Sequence, residues 1–129
     1  MKLGLFTSGY QREPAEHMFQ DAARFGYDYI ELWGGRPHAY PPDLNQYGVR
    51  ELRSLSERYG IPIPIFTPEI NAYPYNFMLG TENQRQDSVR YIKRCMDAAS
   101  ALGCEATLIS AAHAGNSASR EESWDRLVR

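Results

Sequence analysis

Three segments concentrate side chains that could do chemistry, and each follows a short apolar run. Trp33-Gly34-Gly35-Arg36-Pro37-His38-Ala39-Tyr40 sets an indole, a guanidinium and an imidazole on a backbone loosened by glycine and stiffened by proline. Thr67-Pro68-Glu69-Ile70-Asn71-Ala72-Tyr73-Pro74-Tyr75-Asn76 offers a carboxylate, two amides and two tyrosines. Ser110-Ala111-Ala112-His113-Ala114-Gly115 keeps its side chains small around one imidazole. Aromatic faces can cover C–H patches of a ligand while carboxylates, amides and imidazoles pair with its hydroxyls, so the combination suits a polyhydroxylated small molecule. The competing expectation is that these loops merely pack, with Arg36 and His38 at the surface.

The run Tyr29-Ile30-Glu31-Leu32-Trp33 alternates as a strand should. With Ile30 and Leu32 toward helices, Glu31 and Trp33 face the other way, Trp33 nearer the strand's end. A carboxylate there needs a partner. It serves either as a tie between strands or as part of a polar network under a ligand, and both readings stay open. Several kinds of chemistry lack their residues. There is no HExxH, no His–carboxylate cluster with metal spacing and no nucleophile elbow. Ser110 and His113 sit on one loop with nothing to orient them as a catalytic pair. Cys95 and Cys104 form no CxxC motif and read as structural thiols, and His17 reads as a helix-surface residue.

The elements that must carry these loops repeat one pattern: an amphipathic helix, a glycine, then a strand. Phe25-Gly26 precedes 28–33, Tyr59-Gly60 precedes 61–67, and Leu102-Gly103 precedes 105–110. Glycine closes a helix cheaply because it accepts the left-handed conformation. Thr81 and Gln84 make a capping box ahead of Val89, Ile92, Met96, Ala99 and Leu102, which share a face. Pro14 suits the first turn of a helix ending at Phe25. Asp43 and Gln46 mimic a second box, but Gly48 points to a helix starting near Val49. An opening strand over 2–6 and a fourth helix starting at Glu121 complete the order. Pro62 and Pro64 remove donors from the third strand, and their spacing predicts that both gaps face the same neighbour.

Alternating strands and helices imply a parallel sheet. The helix-to-strand joints are minimal, whereas the strand-to-helix loops over 34–43, 68–80 and 111–120 are long. Ligands bind at that end of parallel α/β folds. No GxGxxG or P-loop follows the first strand, which disfavours a doubly wound nucleotide-binding sheet. A (β/α)8 barrel takes about 250 residues. The 129 residues therefore read as one α/β domain over 1–129, the N-terminal half of a (β/α)8 TIM barrel. It would hold four parallel strands, three full helices and the start of a fourth, within which the chain is truncated.

Net charge is −2 with 14 dispersed basic residues, so no nucleic-acid groove is expected. No run of about 18 apolar residues exists, which excludes a helical membrane span. The N-terminus lacks a signal-peptide pattern, and a cytoplasmic location is expected.

The stretches Phe6-Thr7-Ser8-Gly9, Gly26 to Tyr40, Thr67 to Asn76 and Leu108 to Gly115 resemble the sugar-phosphate isomerase/epimerase superfamily, the xylose-isomerase-like TIM barrels, and within it the sugar 3-epimerases. The WGGRPHA and TPEINAYPYN runs carry most of that resemblance. It implies an isomerase that removes and returns the C3 proton of a ketose derivative through an enediolate, using two glutamates and a divalent metal ion of the Mn, Co, Ni, Zn or Mg class. The ligand implied is a small sugar or glycated amino acid, and the protein is expected to be a homo-oligomer. The family's catalytic and metal-binding residues lie on strands five to eight. The resemblance thus assigns no catalytic or metal residue here, and the chain alone is expected to be inactive. It carries over only to mouth positions: Trp33, His38, Glu69, Asn71, Tyr75 and His113 are the expected substrate-binding residues. Ketose 3-epimerases, hydroxypyruvate isomerases and inosose dehydratases remain alternatives, as does a non-catalytic half barrel that binds or assembles. An endonuclease IV-type relative is disfavoured by the negative charge and the missing histidine-rich metal set.

Overall fold

A computed structural model describes residues 1–70, 73–111 and 113–129. The strands are β1 (Gly4–Phe6), β2 (Tyr29–Gly34), β3 (Ile65–Pro68) and β4 (Ala106–Thr107), alternating with helices α1 (Ala15–Phe25), α2 (Gln46–Tyr59), α3 (Glu82–Leu102) and α4 (Arg120–Val128). A short 3-10 helix, Thr7–Tyr10, follows β1 and was not expected from the sequence.

The sheet is parallel and its strands lie in chain order, β1-β2-β3-β4. A doubly wound sheet reverses direction at a switch point; sequential order has none, so the crossover helices collect on one face. The core is accordingly one-sided. Met18, Phe19 and Ala22 of α1, Leu52 and Leu55 of α2, and Ile92, Cys95 and Ala99 of α3 close over Ile30, Leu32 and Phe66. This is the architecture of half a TIM barrel.

Capping chemistry sets the helix ends. Thr81 and Gln84 form the expected box, with Thr81 N–H donating to Gln84 Oε1 at 2.7 Å. Helix α2 starts three residues earlier than expected, because Asn45 Oδ1 accepts from the backbone of Tyr47 and Gly48 at 2.9 and 3.0 Å. Ser119 caps α4 in the same way, moving its start to Arg120. Gly26, Gly60 and Gly103 end α1, α2 and α3 with φ of 75°, 65° and 80°.

The third strand is shorter than expected. Pro62 O accepts from Ile30 N–H of β2 at 2.9 Å, whereas Pro64 O accepts from Glu105 and Ala106 N–H beside β4 at 2.8 and 3.0 Å. The two prolines therefore face opposite neighbours, contrary to their two-residue spacing, and the regular ladder begins only at Ile65.

Candidate functional site

The face of the sheet turned away from the helices carries a row of polar and aromatic side chains. Along β2, Ile30, Leu32 and Gly34 are buried while Tyr29, Glu31 and Trp33 are half-buried, as the alternation required. The same alternation runs through β3 and past its end: Phe66, Pro68 and Ile70 are buried, and Ile65, Thr67 and Glu69 are half-buried. Register places Trp33 opposite Thr67 and Phe6 opposite Glu31. Phe6, Glu31, Trp33, Thr67 and Glu69 thus share one surface.

Two side-chain bonds lie across β2 and β3 on that surface. Thr67 Oγ1 donates to Glu31 Oε1 at 2.7 Å. One layer nearer the strand ends, Trp33 Nε1 donates to Glu69 Oε2 at 2.7 Å. The Trp33 backbone is held as well, its N–H donating to the buried Thr7 Oγ1 at 2.9 Å. Glycine at position 35 leaves room for the indole, since a Cβ there would come within 2.2 Å of the ring.

The other expected site residues are placed differently. His38 Nε2 donates to Tyr10 O at 3.0 Å, fixing its tautomer and joining the loops after β2 and β1. Tyr75 stacks on Tyr91 of α3 with centroids 3.8 Å apart, while Tyr40 tilts over Tyr91 at 5.9 Å. Burial, and then the Tyr75 hydroxyl, push the Tyr40 phenol up to about 12. The His113 side chain is exposed. Asn71 lies outside the described residues. Arg36 pairs with Asp43, through Nη2 at 3.2 Å, and lies 4.5 Å over the Tyr40 ring.

Asn76 is a structural hub that its residue type did not reveal. Its Oδ1 accepts from Met78 and Leu79 N–H at 2.8 and 3.1 Å, and its Nδ2 donates to His113 O at 3.1 Å. Its backbone N–H donates to Ser88 Oγ at 2.9 Å. Among the described residues, no three His, Cys, Asp or Glu side chains converge as a metal site. The described residues therefore supply no ligand set for the divalent ion whose ligands the resemblance places on strands five to eight, and no step is derived through one. Burial pushes both thiols, Cys95 and Cys104, up to about 11, in keeping with structural cysteines.

A family model described as Xylose isomerase-like TIM barrel matches residues 19–129. The chain belongs to that family. Fructoselysine 3-epimerase of Escherichia coli O157:H7 is 51% identical over 128 residues, covering 99% of this chain and 46% of that protein. A 2-oxo-tetronate isomerase of Haemophilus influenzae is 30% identical over 127 residues, covering 95% of this chain and 45% of that one. Among solved structures, D-psicose 3-epimerase with D-tagatose from Clostridium cellulolyticum superposes with a TM-score of 0.78 at 15% identity, over 99% of this chain and 45% of that one. The chain spans about half the length of the curated relatives it matches.

In a xylose isomerase-like barrel the strand ends form the ligand-facing rim. Trp33 and Glu69 meet on that rim in this chain, and His38 and Tyr75 brace the loops around them. Sequence reasoning proposed all four but could not pair the first two, which are 36 residues apart. No helix among the described residues is long and apolar enough to cross a membrane.

Proposed function

We propose that the chain is the substrate-facing half of a cytoplasmic, metal-dependent sugar 3-epimerase acting on fructoselysine. The observation carrying this reading is 51% identity, spread over 99% of the chain, to a fructoselysine 3-epimerase. The inner surface is consistent with it. An indole face and a braced carboxylate, Trp33 and Glu69, suit the C–H and polar groups of a ketose.

On this reading the present residues bind and orient. Trp33 covers the ligand's apolar face, Glu69 accepts from its polar groups, and Glu31 supports them from one layer below. His113, His38 and Asn71 are assigned to substrate contact, and Tyr75, stacked on Tyr91, to the packing of its loop. A divalent metal would supply Lewis-acid stabilisation of negative charge beside the carbon that loses its proton. Its ligands and the two proton-transferring glutamates are assigned to the other half of the barrel, so the isolated chain is inactive.

A second reading is favoured by the exposed apolar groups Phe6 and Leu108 on β1 and after β4. On that reading the chain is a non-catalytic module that assembles through its inner face as a homo-oligomer. One experiment separates the two. The chain is combined with the remaining half of the E. coli O157:H7 enzyme, and exchange of the fructoselysine C3 proton with deuterated solvent is followed. Exchange with both halves and none with either alone is expected. A folded, metal-loaded reconstituted barrel that exchanges no C3 proton would overturn the epimerase reading.

A further inference from the structure

Fructoselysine differs from a free ketose in its zwitterionic amino-acid portion and in the group that joins that portion to the sugar. Its C1 carbon carries a secondary amine, protonated near neutral pH, where fructose carries a hydroxyl. A site that prefers the first over the second needs a negative charge at its mouth.

Glu69 has the geometry for that role. The alternation through β3 puts its side chain on the inner surface, at the rim. One oxygen, Oε2, is held at 2.7 Å by a neutral donor, the Trp33 indole. A neutral donor positions a carboxylate without cancelling its charge. No Lys or Arg pairs with Glu69 among the described residues. The nearest basic side chain in sequence on the adjoining loop, Arg36, is engaged by Asp43 and Tyr40 instead. The Trp33 ring beside Glu69 adds a second attraction for a cation, since an indole face is the best aromatic partner for an ammonium group. A neutral polyol can donate hydroxyl hydrogen bonds to the same carboxylate, but it lacks the full positive charge that adds an ion pair and a cation–π contact.

We infer that Glu69, held by the Trp33 indole, reads the substrate's secondary ammonium group and so selects an amine-linked ketose over a neutral one. This rests on the fructoselysine reading above and adds a specificity determinant to it. Glu69 is a ligand-contacting residue here and takes no part in proton transfer.

The pair lies wholly within the chain, so the chain itself can be tested. The Trp33 indole N–H resonance, in 15N-labelled protein with Trp124→Phe, is titrated with 1-deoxy-1-(methylamino)-D-fructose, which keeps the secondary ammonium without the amino-acid charges, and with D-fructose. The amino ketose should bind about tenfold more tightly, the combined effect of one solvated ion pair and one cation–π contact. Its affinity should fall with added salt while that of fructose stays constant. Glu69→Gln keeps an oxygen that accepts from Trp33 and removes the charge. It should bring the two affinities within about twofold of each other, a gap well below the tenfold that corresponds to about 1.4 kcal/mol. Equal affinities in the unsubstituted chain, or equal losses for both ligands in Glu69→Gln, would overturn the inference, as would a salt-independent preference. The salt series needs no variant and stands if Glu69→Gln fails to fold. Charge-dependent selectivity in a reconstituted barrel that exchanges no C3 proton supports the inference and removes only the epimerase reading. Exchange without selectivity does the reverse.

Discussion

The side-chain amide of Asn76 donates to the carbonyl oxygen of His113 at 3.1 Å, binding the loop that leaves β3 to the loop that leaves β4. Two of the three long loops at the strand ends are therefore joined as one unit. The third is joined to the loop after β1 by the His38–Tyr10 bond. The rim is held by bonds between loops as well as by the strands beneath it.

Asn76→Asp tests that unit. The substitution keeps the acceptor used by Met78 and Leu79 and replaces the donor facing His113 with an oxygen. Asn76 is 5% exposed, so the opposed oxygens cannot both turn to water. A loss of about 1–3 kcal/mol is expected, read as a lower urea midpoint with unchanged slope. A shift smaller than about 0.5 kcal/mol, within ordinary surface-substitution scatter, would show that the bond contributes nothing.

Gly35→Ala tests the seating of Trp33. A Cβ at position 35 would stand 2.2 Å from the indole ring. The ring must turn, and its bond to Glu69 breaks. In a Trp124→Phe background, Trp33 emission should move to longer wavelength and the ring N–H should exchange faster with solvent. Fructoselysine binding should weaken about tenfold with the loss of the positioned pair. An unchanged emission spectrum would mean that the ring has other room.

Glu82 supplies a pH dependence. Hydrogen bonds from Arg85, and then Gln86, lower its carboxyl from 4.5 to about 2. The folded protein therefore binds this proton less readily than the unfolded chain does. The resulting stability is fully present above pH 4.5 and is lost as pH falls from there toward 2. Glu82→Gln should flatten that part of the acid-unfolding curve. It should also lower stability at neutral pH, because Arg85, 7% exposed, would keep its charge without Glu82. An acid arm of the same steepness in Glu82→Gln would assign the sensitivity to other carboxylates.

The fold was legible where the signal is local. A glycine after each amphipathic stretch, and Thr81 three residues before Gln84, mark ends that depend on a few neighbouring atoms. The errors fell where the deciding partner is distant or subtle. Asn45 caps α2 although Gly48 weakened the case for a helix there. Pro62 and Pro64 face opposite neighbours because both precede the regular ladder, which begins at Ile65, and residue spacing fixes facing only within a regular strand. At the site, alternation gave the facing of Glu31 and Trp33, and loop length gave the rim. Composition could not separate ligand-facing from packing side chains. Tyr75 and Asn76 have the residue types of sugar recognition, yet the first stacks on Tyr91 and the second holds the backbone of two loops.

The three glycine-closed joints at residues 26, 60 and 103 have the same left-handed backbone, and each leads into its strand within a few residues. They all lie at the end of the sheet opposite the rim. Inheritance can therefore act on the two ends separately. Changes at the joints bear on how the helices close, and changes on the rim bear on how the loops pack and, on the proposed function, on ligand choice. A lineage with this division can vary its rim loops without rebuilding the joints that close its helices.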